Sequence, residues 1–254
     1  MNDKEYILQL KNLSVSYSPD KYAVKNVSVS IKPQAITSII GPVGAGKKTL
    51  LRAINRLHEL YPNIKTTGEI LLNEENIFTL NSILVRRRIG MVFQEPNPFP
   101  NMSIFDNVLA GYNLNKIRLS KEEKNIIGEK NLKAVNLWED VKDNLHKYPS
   151  LLSKGQQQRL CIARTIALEP ELLLMNEPTS ILETASANKI EELMEQLKEN
   201  YSIMVITKNL SQAARISDYT MFMEGGELIE YGITSKLFWN PQDKRTDRFI
   251  ASQT

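Results

Sequence analysis

The chain has 254 residues, of which 42% are hydrophobic and 24% charged, and this composition suits a globular protein of one large domain or two small ones. Its formal net charge of +3 is too small to indicate nucleic-acid binding, so no nucleic-acid partner is expected. The single cysteine, Cys161, excludes an intrachain disulfide, residues 1–5 are too charged for a signal peptide, and no apolar run approaches the ~20 residues of a membrane-spanning helix.

The first part of the chain predicts strands around one glycine-rich turn. Alternating apolar positions at 6–13 and 23–31 favour two strands of an antiparallel sheet. Residues 35–40 form a short β-rich run before the turn, and a helix is expected after it. The apolar face of this helix is expected to contain Leu50, Leu51, Ile54 and Leu57. The pattern at 68–93 predicts further strands.

The rest of the chain predicts an inserted helical unit and then alternating strands and helices. The pattern is helical and polar from about 103 to 148, with Ser120 and Glu123 spaced as a capping box. Further elements are expected as helices at 156–168 and 186–199, strands at 172–175 and 203–207, and a hairpin at 221–231. This alternation implies an α/β fold with a parallel core sheet.

Residues 41–49 have the sequence G-P-V-G-A-G-K-K-T, which matches the spacing of a phosphate-binding loop. In such a loop, backbone N–H groups curl around an anion at a helix N-terminus, and glycines permit the curl. The alternative is a glycine turn that precedes a helix by chance, but the strand, lysine and helix around it favour the loop. The position after Lys47 normally carries a hydroxyl that ligates Mg²⁺, whereas here it is Lys48, whose ammonium cannot ligate a metal.

Two later segments carry a family resemblance. Residues 153–159, S-K-G-Q-Q-Q-R, resemble the L-S-G-G-Q signature of ABC ATPases, and residues 172–180, L-L-L-M-N-E-P-T-S, resemble their Walker B strand and the loop after it. On these motifs the chain resembles the ATP-binding subunit of ABC transporters, and most of all that of bacterial phosphate importers. Segments 92–104, 226–232 and 244–250 support the resemblance, which covers nearly the whole chain.

The resemblance implies an ABC-type P-loop nucleotide-binding domain over residues 1–254. Its expected parts are a parallel-sheet core, an antiparallel β subdomain, and an inserted helical subdomain at about 95–165 that includes the signature motif. The cofactors that it implies are ATP and Mg²⁺.

The resemblance also assigns residues to the ATP site. The ATP-binding residues that it implies are Tyr17, Gly41, Pro42, Val43, Gly44, Ala45, Gly46, Lys47, Lys48, Thr49 and Gln94. Tyr17 would stack on adenine, although an ordinary aromatic on a strand face is the alternative. Thr49 would contact the α-phosphate, Gln94 would sense the γ-phosphate and Mg²⁺, and Glu177 would orient or deprotonate the attacking water. The signature residues are Ser153, Lys154, Gly155 and Gln156.

Four positions depart from the family pattern. Lys48 and Asn176 replace the loop hydroxyl and the Walker B aspartate that hold Mg²⁺ in the family, which shifts the local charge by +2. Lys154 replaces a signature glycine, and Lys208 replaces the switch histidine. We therefore expect ATP to bind with weakened dependence on Mg²⁺, and hydrolysis to be absent or severely impaired even though Glu177 is retained.

The resemblance implies partners and a location. It implies two transmembrane permease subunits, a second ATP-binding subunit, and an indirect relation to a phosphate-binding protein. The expected location is cytoplasmic, on the inner face of the cell membrane. Two alternatives stay open, a working ATPase that powers phosphate import and a non-transport regulatory module. The possibility that the chain forms one half of an asymmetric dimer fits less well. Lys48, Asn176 and Lys208 change the site that this chain's own loop builds, while Lys154 changes the opposite site, so both sites would be altered.

Overall fold

The computed structural model describes residues 5–18 and 21–252. Its central sheet contains six strands, which are β3 (Ile36–Ile40), β6 (Ile89–Val92), β7 (Leu172–Asn176), β8 (Ser202–Ile206), β9 (Tyr219–Glu224) and β10 (Glu227–Ile233). They lie in the order β10-β9-β3-β8-β7-β6, with β10 antiparallel to β9 and the other neighbours parallel. Every residue of β3, β7 and β8 is buried, which explains their continuous apolar sequences and confirms the predicted parallel core.

A second, antiparallel sheet packs beside the first. Its strands are β1 (Leu8–Ser18), β2 (Lys21–Ile31), β4 (Lys65–Leu72) and β5 (Glu75–Asn76), in the order β2-β1-β4-β5. Apolar side chains of β1, β2 and β4 join one core cluster with α1 (Lys47–Ile54) and part of the central sheet. The predicted antiparallel pair is confirmed, and both of its strands are longer than the alternating pattern indicated.

Helices surround the two sheets. After α1 they are α2 (Ser82–Arg88), α3 (Ile104–Leu114), α4 (Lys121–Ala134), α5 (Trp138–Val141), α6 (Lys154–Ile166), α7 (Thr184–Leu197), α8 (Leu210–Ile216), α9 (Thr234–Trp239) and α10 (Lys244–Ala251). The predicted capping box opens α4, where the Ser120 side chain accepts from the Glu123 N–H and the Glu123 carboxylate accepts from the Ser120 N–H. None of the helices in the described residues is both long and apolar enough to span a bilayer.

Two sequence predictions are wrong in detail. Residues 82–88, within the stretch predicted as strands, form helix α2. The Asn81 side chain caps it by accepting from the Ile83 N–H, and only Val85 of its apolar residues is buried. Helix α1 ends at Ile54, so Leu57 lies beyond the helix rather than on its face.

The strand order decides which residues meet at the functional edge. β3, β8 and β7 are consecutive neighbours, and β6 follows β7. The segments after their carboxyl ends carry the loop at 41–46, Lys208, Glu177 and Gln94 respectively. Since ligands of open α/β sheets bind outside the carboxyl ends of the strands, this edge is where a site is expected.

Candidate functional site

Glycines give the loop between β3 and α1 its shape. Gly46 has a φ of +92°, and a Cβ there would lie 2.0 Å from the Ala23 carbonyl oxygen. Gly41 has a φ of +141°, and its Cβ would lie 2.0 Å from the Met223 carbonyl oxygen. Gly46, at the N-cap of α1, has no side chain that could accept from the first N–H groups of this helix. Such a helix start favours an anion.

Lys47 is held inside the loop by two backbone oxygens. Its Nζ donates to the carbonyl oxygens of Gly41, at 2.5 Å, and Pro42, at 2.7 Å. Burial lowers the pKa of Lys47 to about 8, and the nearby Glu177 carboxylate only partly opposes this effect. The side chain therefore carries its charge at neutral pH and is poorly hydrated. An anion that pairs with such an ammonium group forms a stronger interaction than it would with a fully hydrated one.

Lys48 and Lys208 both pair with one buried carboxylate. The Lys48 Nζ lies 3.2 Å from Glu177 Oε1, and the Lys208 Nζ lies 2.8 Å from Glu177 Oε2. The Glu177 side chain is only 1% exposed, whereas those of Lys48 and Lys208 are 46% and 57% exposed. Two ammonium groups from separate segments thus close over the carboxylate from the solvent side.

The lysines determine the charge state of Glu177. Burial raises the pKa of its carboxyl group, but the hydrogen bonds and charges of Lys208 and Lys48 outweigh burial and hold the pKa below its ordinary value. Glu177 is therefore ionised at neutral pH and a weak proton acceptor. Its backbone has a φ of +48°, and its N–H donates to the Ile206 carbonyl at 3.0 Å, which fixes it at the end of β7.

The residues around this carboxylate do not fit Mg²⁺. Mg²⁺ requires oxygen ligands in near-octahedral geometry, and proteins hold it through carboxylates or hydroxyls. Asn176 offers a neutral amide, whose buried Oδ1 has no hydrogen-bond partner among the described residues, and Lys48 offers a positive charge. A divalent ion about 4 Å from one ammonium is repelled by roughly 8 kcal/mol at an effective dielectric of about 20. Among the described residues, no group of three or more His, Cys, Asp or Glu side chains has the geometry of a metal site.

A cavity of about 350 Å³ collects most of the predicted ATP-site residues. It is lined by Tyr17, Ala23, Val43, Gly44, Ala45, Gly46, Lys47, Lys48, Thr49, Glu177 and Lys208. The Tyr17 ring is 42% exposed, and its hydroxyl forms a 2.9 Å hydrogen bond with Thr49 Oγ1. Gly41 and Pro42 contribute through the carbonyls that hold Lys47. The glycine cradle and its lysines fit a nucleotide phosphate chain, in contrast to the metal.

Gln94 reaches the same cluster from β6. Its Oε1 accepts from the Lys48 ammonium at 3.0 Å, and its Nε2 donates to Ser180 Oγ at 3.0 Å. Sequence reasoning missed Ser180, although it lies inside the Walker B-like segment. It also missed Gln158 of α6, whose Nε2 donates to the carbonyls of Phe93, at 2.9 Å, and Pro178, at 3.0 Å. Gln158 lies in the glutamine run beside the signature, and that run was the only signal available for it.

The signature residues lie at the start of α6, apart from the cavity. Ser153 caps the helix and forms a capping box with Gln156. Lys154 is exposed at the first helical position, and a Cβ on Gly155 would lie 2.5 Å from the Ser186 Oγ. The described residues that line the cavity include none of these four. The fold therefore joins the loop, Gln94, Glu177 and Lys208 within one chain but leaves the signature separate.

Comparisons with known proteins identify the family. Residues 24–180 match the family model described as "ABC transporter". The chain is 45% identical over 99% of its length to the phosphate import ATP-binding protein PstB of Rubrobacter xylanophilus, of which the match covers 90%. It is 46% identical to the PstB of Koribacter versatilis, with 97% of this chain and 98% of that protein covered.

Two solved structures have a similar fold. One is cbiO1 from Clostridium perfringens, part of the ABC transporter complex cbiONQ, with a TM-score of 0.81, 25% identity, and coverage of 98% of this chain and 99% of that one. The other is an ATP-binding cassette solved as a dimer in a post-hydrolysis state with ADP and Pi, with a TM-score of 0.75, 29% identity, and coverage of 89% and 98%. The loop, the sheet that carries it and these likenesses lead to one conclusion: the chain belongs to the ABC transporter family, as an ATP-binding domain.

Proposed function

We propose that this chain is the nucleotide-binding subunit of a phosphate importer, and that it binds ATP but hydrolyses it very slowly or not at all. The observation that carries the proposal is the pairing of both Glu177 carboxylate oxygens with the ammonium groups of Lys48 and Lys208. Phosphate as the cargo rests on the relatives named as phosphate import proteins, which match nearly the full chain.

Nucleotide binding is supported by the loop. Gly44 and Gly46 allow the loop to direct N–H groups toward an anion at the start of α1. Lys47 provides a buried, poorly hydrated positive charge beside them. Tyr17 borders the same cavity and offers a ring for the adenine. In this proposal the Thr49 hydroxyl gives up its hydrogen bond with Tyr17 and bonds to the α-phosphate instead.

Slow hydrolysis follows from the state of Glu177. A residue that deprotonates water needs a pKa near the working pH, and nearby ammonium groups weaken a carboxylate as a proton acceptor. Both oxygens of Glu177 contact an ammonium group, and its pKa is held below the ordinary value. Lys208 also lacks the donor and acceptor pair of an imidazole.

Weak binding of Mg²⁺ is expected to slow hydrolysis further. With Lys48 and Asn176 at the family's ligand positions, we expect a lower affinity for Mg²⁺ than a Ser and Asp pair would give. When bound in ABC ATPases, Mg²⁺ supplies charge stabilisation to the transferring phosphoryl group. Losing one such electrostatic group typically costs roughly 2.7–4 kcal/mol, or about 10²–10³-fold in rate.

Assembly is part of the proposal. We place the chain on the inner face of the cell membrane, bound to two permease subunits and paired with a second ATP-binding subunit, with a phosphate-binding protein as an indirect partner. In this proposal residues 1–254 form one domain, and about 95–165 form its helical subdomain. Lys154 adds charge and bulk at the signature, where a glycine allows close approach of a partner's nucleotide. We therefore expect weak ATP-driven dimerisation, and a tight ATP-dependent dimer in light scattering would contradict this part.

The test is ATP turnover by the purified chain beside a variant that carries Lys48→Ser, Lys154→Gly, Asn176→Asp and Lys208→His. We expect phosphate release near background from the native chain and an increase of at least about 100-fold in the variant. Lys121→Ser, which removes an exposed lysine of α4, is the matched control and should leave the rate unchanged. Turnover of the native chain far above background and equal to that of the variant would refute impaired hydrolysis and favour a working import ATPase.

A second measurement separates transport from regulation. Co-purification of the chain with two permease subunits is expected for an importer subunit, and binding to nucleotide without any permease would favour the regulatory alternative. Because this readout does not depend on hydrolysis, it tests the assembly independently of the activity.

A further inference from the structure

The Lys48 ammonium lies between two side-chain oxygens, those of Gln94 and Glu177. Its Nζ is 3.0 Å from Gln94 Oε1 and 3.2 Å from Glu177 Oε1. We propose that Lys48 acts as a built-in counter-cation, so that the pocket takes a metal-free nucleoside triphosphate and Mg²⁺ in solution competes against its binding. This inference rests on the proposed function, in which the same pocket takes ATP.

The charge of the cavity supports the inference. Among the residues that the structure describes, the ammonium groups of Lys47, Lys48 and Lys208 line it together with one carboxylate, that of Glu177, and their formal charges sum to +2. This equals the charge that a magnesium ion would bring with the nucleotide. The chain itself therefore supplies to a metal-free triphosphate as much positive charge as a magnesium ion would, whereas the magnesium complex meets a pocket that already holds an equivalent positive charge.

The neighbours of Lys48 hold it in place as a cation. The Gln94 amide is oriented by its Nε2–H, which donates to Ser180 Oγ at 3.0 Å, so that its Oε1 faces the Lys48 ammonium. The Glu177 side chain is 1% exposed and keeps a cation beside each oxygen. A metal ion at this position would have to displace the Lys48 ammonium from Gln94 Oε1 and from Glu177 Oε1. Asn176 provides no negative charge that would compensate for this displacement.

The specificity of the site follows from which ligand leaves these contacts intact. A triphosphate without metal places its oxygens near the exposed ends of Lys48 and Lys208 and shares these groups with Glu177. The magnesium complex brings a hydrated dication to the same place. The side chain at position 48 is therefore the one whose replacement should change the discrimination between free ATP and its magnesium complex most.

The experiment measures ATP affinity of the full chain by calorimetric titration, once with EDTA and once with excess Mg²⁺. We expect a Kd at least about tenfold lower in EDTA. The variant Lys48→Ser with Asn176→Asp is expected to reverse this preference, because it restores a hydroxyl and a carboxylate. Lys48→Gln, which removes the charge and keeps a polar side chain, is expected to abolish the preference and serves if the double variant fails to fold. Lys121→Ser should retain the preference of the native chain.

The outcomes separate this inference from the function on which it rests. Tighter binding with Mg²⁺ than with EDTA would overturn the counter-cation and leave nucleotide binding standing. A preference for EDTA that survives in Lys48→Gln would also overturn it, since the cause would lie elsewhere. Failure to bind ATP under both conditions would overturn the proposed nucleotide binding itself.

Discussion

Glu177 and its two lysines predict an asymmetric response to mutation. The carboxylate is 1% exposed, so replacing Lys48 and Lys208 together with methionine leaves a buried charge without the two cations that contact it. Removing the partner of a buried ion costs about 3–5 kcal/mol. Glu177→Gln instead leaves two ammonium groups that are 46% and 57% exposed and regain water, so we expect a cost of about 1 kcal/mol or less.

Thermal unfolding of the native chain and the variants measures this difference. For a domain of this size, 1 kcal/mol shifts the Tm by about 2–4 °C. The double lysine variant should therefore melt roughly 6–20 °C below the native chain, and Glu177→Gln no more than about 4 °C below it. Adding Glu177→Gln to the lysine variant should restore most of the loss, because the uncompensated charge is then gone.

The pH dependence provides a second check. In the native chain the pKa of Glu177 lies below its ordinary value, so its contribution to stability is present above the ordinary carboxyl pKa and is lost as the pH falls through the native-state pKa. In the lysine variant both contacting cations are gone while burial still raises the pKa, so the deficit against the native chain should be largest at neutral pH and shrink on acidification. The reasoning would be refuted if Glu177→Gln destabilised the chain as much as loss of both lysines, or if the deficit did not change with pH.

Three further predictions concern the loop and two helix starts. Gly155→Ala should cost about 1–3 kcal/mol in urea denaturation, because its Cβ would lie 2.5 Å from Ser186 Oγ, and adding Ser186→Gly should recover part of that loss. ATP affinity should be nearly constant from about pH 7, where the terminal phosphate is ionised, to pH 8, and it should fall up to about tenfold per pH unit above pH 8. Burial lowers the pKa of Lys47 to about 8, and phosphate requires its charged form, so an affinity unchanged above pH 8 would contradict this role. Ser120→Ala should cost about 1 kcal/mol through the lost capping box, and an unchanged Tm would show that α4 does not depend on it.

The loop and the parallel core were predictable because their signals are local. A glycine spacing determines the turn, and continuous apolar runs determine buried strands. The convergence of Lys48 and Lys208 on Glu177 was not predictable, since it depends on β8 lying between β3 and β7. The sequence indicated four altered positions but gave no sign that two of them contact the same carboxylate.

Helix α2 shows why local patterns fail elsewhere. Ile83, Leu84 and Val85 have the composition of a strand, yet Ile83 and Leu84 are exposed and only Val85 is buried. The helix is stabilised by the Asn81 cap at one end and by Arg86 and its two arginine neighbours at the other, where positive charge favours a helix C-terminus. Hydrophobic alternation carries no information about these terminal contacts.

Gln158 has a mechanical consequence. One amide nitrogen on α6 is bonded to the backbone just before Gln94 and just after Glu177. Any rotation of α6 would therefore act on the segments that carry Gln94 and Glu177 at the same time. The acceptors are main-chain carbonyls, so replacing side chains in the pocket does not remove them. If the chain binds ATP without cleaving it, as proposed, α6 would still be connected to the edge of the sheet where the nucleotide lies.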